Sequence, residues 1–419
     1  GGVRAQRMQA AMERVEEAPE ESFENAAAHT RNLVCPTWLG LSRDVRIFEL
    51  GFEYEGQWDD YVVPRFHNTP VKPEELGGKP VQYNFMVGRG VGVTRRITRR
   101  LEEGCLPILQ AGIEDGEVHF ECAAFATLER SPLRGAKLRG THFLVAESYS
   151  SGFMHTPEQA KLCDRLKPGE MNRDEETVLY FRATATNNGA APRYAWFRSA
   201  VSATGGSWTA PRKSQDGRFD SGRVYAVSIF NGKRMPQEEM AVLLAPGETC
   251  TFEFRIPHSP ISPARAARLM REDFDKRHAE CRAFWKAKLA QASRISLPEK
   301  RIEEMSRACL LHLDIVAFGR EPRGTVAPSV GRYSAIGSES SPIIQSMDSH
   351  GRHRLARRAA TYFLDKQHED GFIQNYENYM LETGPALWTL GEHYRYTRDE
   401  AWVKSIAPKL IKSCDYLVA

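Results

Sequence analysis

The sequence lacks long apolar runs, clustered cysteines and an excess of either charge. No run among the 419 residues approaches the roughly 18 apolar residues of a membrane-spanning helix. No membrane partner is therefore expected. The eight cysteines (Cys35, Cys105, Cys122, Cys163, Cys250, Cys281, Cys309 and Cys414) stand far apart. None forms a Cys-x-x-Cys or Cys/His group of zinc spacing, so no metal site is expected and most should be buried thiols. Basic residues number 57 against 54 acidic ones, a formal net charge of +3. That balance offers no electrostatic case for nucleic acid. The N-terminal stretch GGVRAQRMQAAMERVEEAPEE has no apolar core of the signal-peptide type. It reads as a polar, fraying helix or tail over residues 1–30. The protein is expected to be soluble, with the cytoplasm favoured over a periplasmic or secreted location, though a signal removed beforehand would leave the compartment open.

What is present changes character near residue 260. The length suits two or three domains. Over residues 31–260, short runs alternate apolar and polar residues between Gly, Pro and Asp-Gly punctuation. DVRIFELGFEYEG from Asp44, GVGVTRRITRRLEEG from Gly90, EVHFECAAFATLE from Glu117 and HFLVAESYS from His142 read as strands. In ETVLYFRATATNNGAAPRYAWFRSAVSA the Asn-Asn-Gly at 187–189 reads as a hairpin turn. Many strands with short connections and no intervening helices predict a large antiparallel β-sandwich.

From Ser262 the period becomes helical. Ser262 reads as an N-cap with Pro263 in the first turn. Phe274, Cys281, Phe284, Trp285 and Leu289 make one apolar stripe, and Ile302, Met305, Cys309, Leu310 and Leu313 another. Residues 261–298 read as a helical linker and 299–419 as consecutive helical hairpins. Two of these helices are expected near Thr383–Tyr396 and Ala401–Leu417. Long connections at 319–341 and 371–382 alternate with short turns such as 396–400, and the long ones are where function is expected.

The residues then carry a resemblance. FWKAKLAQASRISLPEKRIEEMSRACLLHL, from Phe284, resembles the linker and first helix of the six-hairpin glycosidases. LARRAATYFLDKQHEDGFIQNY resembles their outer-to-inner transition. LETGPALWTLGEHYRYTRDEAWVKSIAPKLIKSCDYL resembles the next hairpin, with Thr-x-Asp in its tight turn. These enzymes place a β-sandwich before an (α/α)6 toroid. They include glucoamylases, α-L-rhamnosidases, trehalases and the maltose and cellobiose phosphorylases. The implied fold is thus multidomain, β then α, with the start of a toroid. A complete toroid has twelve helices and about four are counted here. The sequence is therefore expected to be the front part of a longer protein, with the remainder of its toroid as a further segment or chain.

The resemblance implies a glycoside hydrolase acting on an oligo- or polysaccharide through paired carboxylates, inverting, without cofactor or metal. A glycan phosphorylase on the same scaffold is the alternative, as is a non-catalytic carbohydrate-binding or assembly protein. The principal acid and base would lie beyond Ala419. Within the chain, Glu382 and Glu339 are the candidate catalytic carboxylates. Glu382 could bind sugar hydroxyls or act as an acid. Glu339, with Ser338, could instead cap a helix N-terminus. Arg332 and Tyr333 occupy the place of the relatives' Trp-x-Arg-Asp motif without its Arg-Asp pair. Asn375, Tyr376 and Tyr379 precede Glu382 and offer the amide groups and aromatic faces a pyranose ring wants. Asp348, nine residues after Glu339 and about 13 Å further along one helix, reads as a structural hydrogen-bonding group. The basic cluster His350, Arg352, His353, Arg354, Arg357 and Arg358 reads as a solvated face, and Trp388 and Trp402 as core. Trp58, Asp59, Asp60 and Tyr61 belong to a sandwich loop that could reach the toroid mouth.

Overall fold

A computed structural model describes residues 11–20, 22, 36–52, 60–89, 96–203, 216–373 and 382–419. The chain divides into two compact units, Gly1–Val34 and Cys35–Ala419. The first holds a short helix, α1 (Ala11–Glu17).

The second unit opens with strands. In chain order they are β1 (Thr37–Gly40), β2 (Arg46–Gly51), β3 (Asp60–Phe66), β4 (Thr69–Pro70), β5 (Tyr83–Val87), β6 (Arg96–Glu102), β7 (Leu106–Asp115) and β8 (Val118–Leu128). They continue as β9 (Thr177–Asn187), β10 (Arg193–Ser202), β11 (Asp216–Arg218), β12 (Val224–Phe230), β13 (Lys233–Arg234), β14 (Glu239–Leu244) and β15 (Thr249–Pro257). A seven-stranded sheet runs β1-β2-β3-β5-β10-β14, and an eight-stranded sheet runs β11-β12-β15-β9-β8-β7-β6; β4 and β13 pair at the sides. The named pairings are antiparallel, as the alternating pattern predicts. Phe85 and Phe197 of the first sheet interleave with Phe181, Phe252 and Phe254 of the second. Ring centroids are 4.5 Å apart for Phe181–Phe254 and 4.7 Å for Phe197–Phe252. All five are fully buried, and such rings supply the largest share of apolar area removed from water.

Three expectations about this region are corrected. Asn187-Asn188-Gly189 does not close a hairpin, because β9 and β10 lie in different sheets. Buried Asn187 donates from Nδ2 to the carbonyls of Ala191 and Leu244, 2.9 Å each, and accepts from the Gly189 N–H at 2.9 Å. Its amide thus turns the chain across the sandwich. His142–Ser150 is not a strand: Phe143–Glu147 is a helix, α2, with all five residues buried. An apolar run enclosed on all sides has no period to betray it. The strand region also contains α3 (Pro157–Met171), opened by a capping box in which Thr156 and Gln159 bond each other's backbone.

Then come the helices. The stretch from Ser262 forms two, α4 (Pro263–Leu269) and α5 (Phe274–Leu289), with Ser262 and Asp273 as N-caps. α5 lies on the outer face of the eight-stranded sheet, Phe274 standing edge-on to Phe125 at 5.2 Å. Next are α6 (Lys300–Val316), a short strand pair β16 (Ala317–Phe318) and β17 (Ala327–Pro328), α7 (Gly337–Ser349), α8 (His353–Asp365), α9 (Thr383–Thr397) and α10 (Glu400–Val418). The turn after α9 has Arg398 at φ 54° and Asp399 capping α10 through the Trp402 N–H at 2.9 Å, which is the role of the Thr-x-Asp.

Packing departs from the expected stripes. On α6 the buried residues are Leu310, Leu311, Asp314 and Ile315. Ile302 is 39% exposed and Met305 56%; the buried residues of α6 are confined to its second half. Trp388, expected in the core, is 47% exposed. The basic cluster is not simply solvated. Arg352 is buried against Asp314 at 2.7 Å, His353 bonds Asp348 at 2.8 Å, Arg357 pairs with Asp399 at 2.5 Å and Arg358 with Glu321 at 3.3 Å.

Two buried ion networks tie the strand region of the chain to the helices that follow it. Asp314 of α6 meets Arg43 at 2.6 Å, Arg352 at 2.7 Å, Lys288 at 3.3 Å and the Ser42 hydroxyl at 2.9 Å. Burial alone would raise its pKa, but the three cations hold it well below the usual carboxylate range. Glu147 of α2 accepts from the Tyr362 hydroxyl, from Lys366 at 3.2 Å and from His155 at 3.3 Å. Of the cysteines described, Cys105, Cys122, Cys163, Cys250 and Cys281 are buried thiols, while Cys309 and Cys414 are exposed.

Candidate functional site

The N-terminus of α7 leaves backbone N–H groups that no helical carbonyl can satisfy. Its N-cap, Ile336, has no side chain to offer. Glu382, at the head of α9, fills the role: its Oε2 accepts the Gly337 N–H, and Ser338 donates to it from backbone and side chain. Gly337 is needed for this approach, since a Cβ there would come within 2.8 Å of the Glu382 carbonyl oxygen as well as striking its carboxylate. The Glu382 carbonyl in turn accepts the Ala386 N–H at 3.0 Å inside α9.

Glu382 has no exposed surface, and its Oε1 has no hydrogen-bond partner among the described residues. Burial pushes its pKa up to about 7; the Ser338 hydrogen bonds oppose that, and the Glu339 charge reinforces it. Glu339 itself stands exposed on the first turn of α7. The two candidate carboxyls are thus brought to one helix junction in contrasting environments, one enclosed and one in water.

Further along, α7 and α9 are zipped by polar groups. The Thr389 hydroxyl donates to the Pro385 carbonyl at 2.8 Å and bonds Ser341. Thr383 Oγ1 accepts the Ile373 N–H at 3.0 Å. Asp348 accepts from His393 Nδ1 at 2.8 Å and from His353 Nδ1 at 2.8 Å, the structural bond expected of it. His393 Nε2 is buried, without a partner among the described residues.

Arg332 and Tyr333 lie on the loop before α7, at most about 18 Å and about 14 Å of chain from Gly337. The loop is pinned to the sandwich. Ser151 donates its N–H to the Arg332 carbonyl and accepts the Ser334 N–H, 3.0 Å each. His67 bridges the Gly331 carbonyl at 2.6 Å and the Ser150 hydroxyl at 2.7 Å. Burial lowers the His67 pKa to about 4, so the ring is neutral. Nε2–H must then donate to the carbonyl and Nδ1 accept from Ser150. The Arg332 side chain is 57% exposed and reaches Glu49 Oε2 at 3.6 Å; Tyr333 is 47% exposed.

Glu49 was not foreseen as part of this region. It is buried on β2 and also accepts from Arg65 at 3.2 Å and from the Trp38 indole at 3.1 Å. Tyr61 shares that sheet face; burial, then the Glu49 charge, raises its pKa. The only signal in the sequence is a glutamate placed between Phe48 and Leu50. Asp60 is buried and accepts the Val87 N–H at 3.2 Å. Asn375, Tyr376 and Tyr379, with Trp58 and Asp59, lie outside the described residues.

Among the described residues no group of three or more His, Cys, Asp or Glu could hold a metal ion, and no helix is long and apolar enough to cross a membrane.

No protein-family model matches the chain, and no curated protein matches it. Among solved structures, the chain is similar to the following three. One is a putative kojibiose phosphorylase from the human microbiome, 8% identical, with a TM-score of 0.42 over 87% of this chain and 54% of that one. Another is a family GH92 alpha-mannosidase from Bacteroides thetaiotaomicron in complex with mannoimidazole, 10% identical, TM-score 0.25, over 87% and 54%. A second structure of that mannosidase gives 10% identity and a TM-score of 0.18 over 85% and 47%. The chain spans about half the length of these solved chains.

Proposed function

We propose that the chain belongs to a glycoside hydrolase whose helices α6–α10 form part of an (α/α)6 toroid. The observation that carries this reading is Glu382: a fully enclosed carboxyl, raised to about 7, at the junction of α7 and α9 beside exposed Glu339. A carboxylic acid that keeps its proton near neutrality is what protonation of a glycosidic oxygen requires. Motif order along 284–419 supports the same reading. In it, Arg332 and Tyr333, held by Glu49 and the Ser151 bridge, contact sugar hydroxyls and a ring face. Asn375, Tyr376 and Tyr379 add to that contact. The outcome at the anomeric carbon is inversion.

One observation favours a second reading. Glu382 is committed to capping α7, which suits a carbohydrate-binding protein with no turnover. Incubation of the protein with a panel of oligosaccharides, with and without phosphate, separates the readings. Hydrolysis products independent of phosphate, lost in Glu382→Gln, are expected. Phosphate-dependent sugar phosphates would mean a phosphorylase, and binding without turnover a binding protein.

A further inference from the structure

Helix α5 covers only part of the outer face of the eight-stranded sheet. Beneath it that face carries Phe125 and Tyr180. Beside its first turn the same face is open and forms a groove of about 540 Å3, within the range of small-ligand sites.

The strand register lays out the floor. Directly paired residues share a face. One row runs Arg100–Gln110–Ala123–Arg182, and the next contains Gly112, Glu121 and Thr184. Gly112 and Ala123 keep the middle low; a Cβ on Gly112 would already meet Thr98 Oγ1 at 2.9 Å. Arg182 is fixed, stacked 3.9 Å from the Phe274 ring and bonded to Glu253 at 2.9 Å and Asp275 at 2.7 Å. No described residue pairs with Arg100 or Glu121. They stand two strands apart, about 10 Å across the sheet. The groove therefore presents a free donor on β6 and a free acceptor on β8, with the Gln110 amide, bonded to Glu102 at 3.3 Å, between them and the Thr184 hydroxyl on the far side of Glu121. The charges balance, which disfavours a polyanion. Hydroxyl-rich ligands both donate and accept, and a disaccharide spans that separation.

We propose that this groove binds a neutral oligosaccharide of two or three units. The inference is independent of Glu382 and of any turnover. Its test is calorimetric titration of the whole chain with maltotriose, cellotriose and mannotriose, and with citrate as an anionic control. Thr184→Trp fills the floor and Arg100→Ser removes the donor; thermal melts confirm that each variant is folded. At least one trisaccharide should bind and lose about tenfold or more in affinity in both variants, while Ile411→Ser, on the exposed face of α10, binds it as the wild type does. The proposal is overturned if no trisaccharide binds. It is also overturned if Thr184→Trp and Arg100→Ser bind unchanged, if Glu382→Gln alone abolishes binding, or if citrate binds as tightly. Absence of hydrolysis would count against the glycosidase reading and leave the groove untouched.

Discussion

The paired sheets and the helices that follow them dispose of apolar surface differently. Between the sheets, the aromatic residues Phe85, Phe181, Phe197, Phe252 and Phe254 have no exposed area. Among the helices, Ile302, Met305, Trp388 and Ile411 remain 39–61% exposed, while Asp314, Asp348, Glu147, Glu382 and His393 are buried. The space between the sheets is held by area. Buried charges lie both around the sandwich, at Asp44, Glu49, Asp60 and Arg65, and among the helices, at Asp314, Asp348 and Glu382, and such groups are where pKa values move far enough to be useful.

Substitutions can break that contrast. The largest effect is expected at Asp314, whose removal strands buried Arg43 and Arg352 and leaves half-buried Lys288 without its carboxylate. Asp314→Ala should cost toward the top of about 3–5 kcal/mol, read by denaturant unfolding. Phe181→Ala should cost a similar but purely packing-based amount, about 3–5 kcal/mol, with no dependence on salt. Equal salt sensitivity of the two would dissolve the distinction.

Glu382 sharpens it. Its folded pKa, about 7, exceeds the ordinary carboxyl value of 4.5. The folded state thus holds a proton that the unfolded state releases, so stability is greatest at low pH and falls as pH rises from about 4.5 to 7. The loss should approach about 3 kcal/mol, and Glu382→Gln should flatten that part of the profile. The smallest effect is expected on the uncovered helix surface: Ile411→Ser should shift stability by no more than about 0.5 kcal/mol.

Much of the sandwich was legible because a half-buried strand alternates, as in Val118–Leu128 and Thr249–Pro257. What alternation cannot show is which sheet a strand joins. Asn187-Asn188-Gly189 carries a good turn composition, yet it links two sheets because the Asn187 amide finds partners on β14's carbonyl and its own loop. Nor can it expose a short buried helix such as Phe143–Glu147. The Thr156-Pro157-x-Gln159 start of α3 carries a capping signal, which the expectation of strands without intervening helices passed over. On α6 the period was visible but not which face would find cover. At the site, Glu382 was legible from its place before Thr383-Gly384-Pro385, whereas its bond to Gly337 joins residues 45 apart in sequence. Glu49 sits far from Arg332 in the chain, and no local pattern connects them.

The most direct test is a pH titration of the Glu382 carboxyl by 13C NMR of glutamate-labelled protein, with Glu382→Gln identifying the resonance. A midpoint near 7 is predicted for an enclosed acid able to deliver a proton at neutral pH. A midpoint at the ordinary carboxyl value near 4.5 would make Glu382 an ionised helix cap, and the acid–base account of this site would fail.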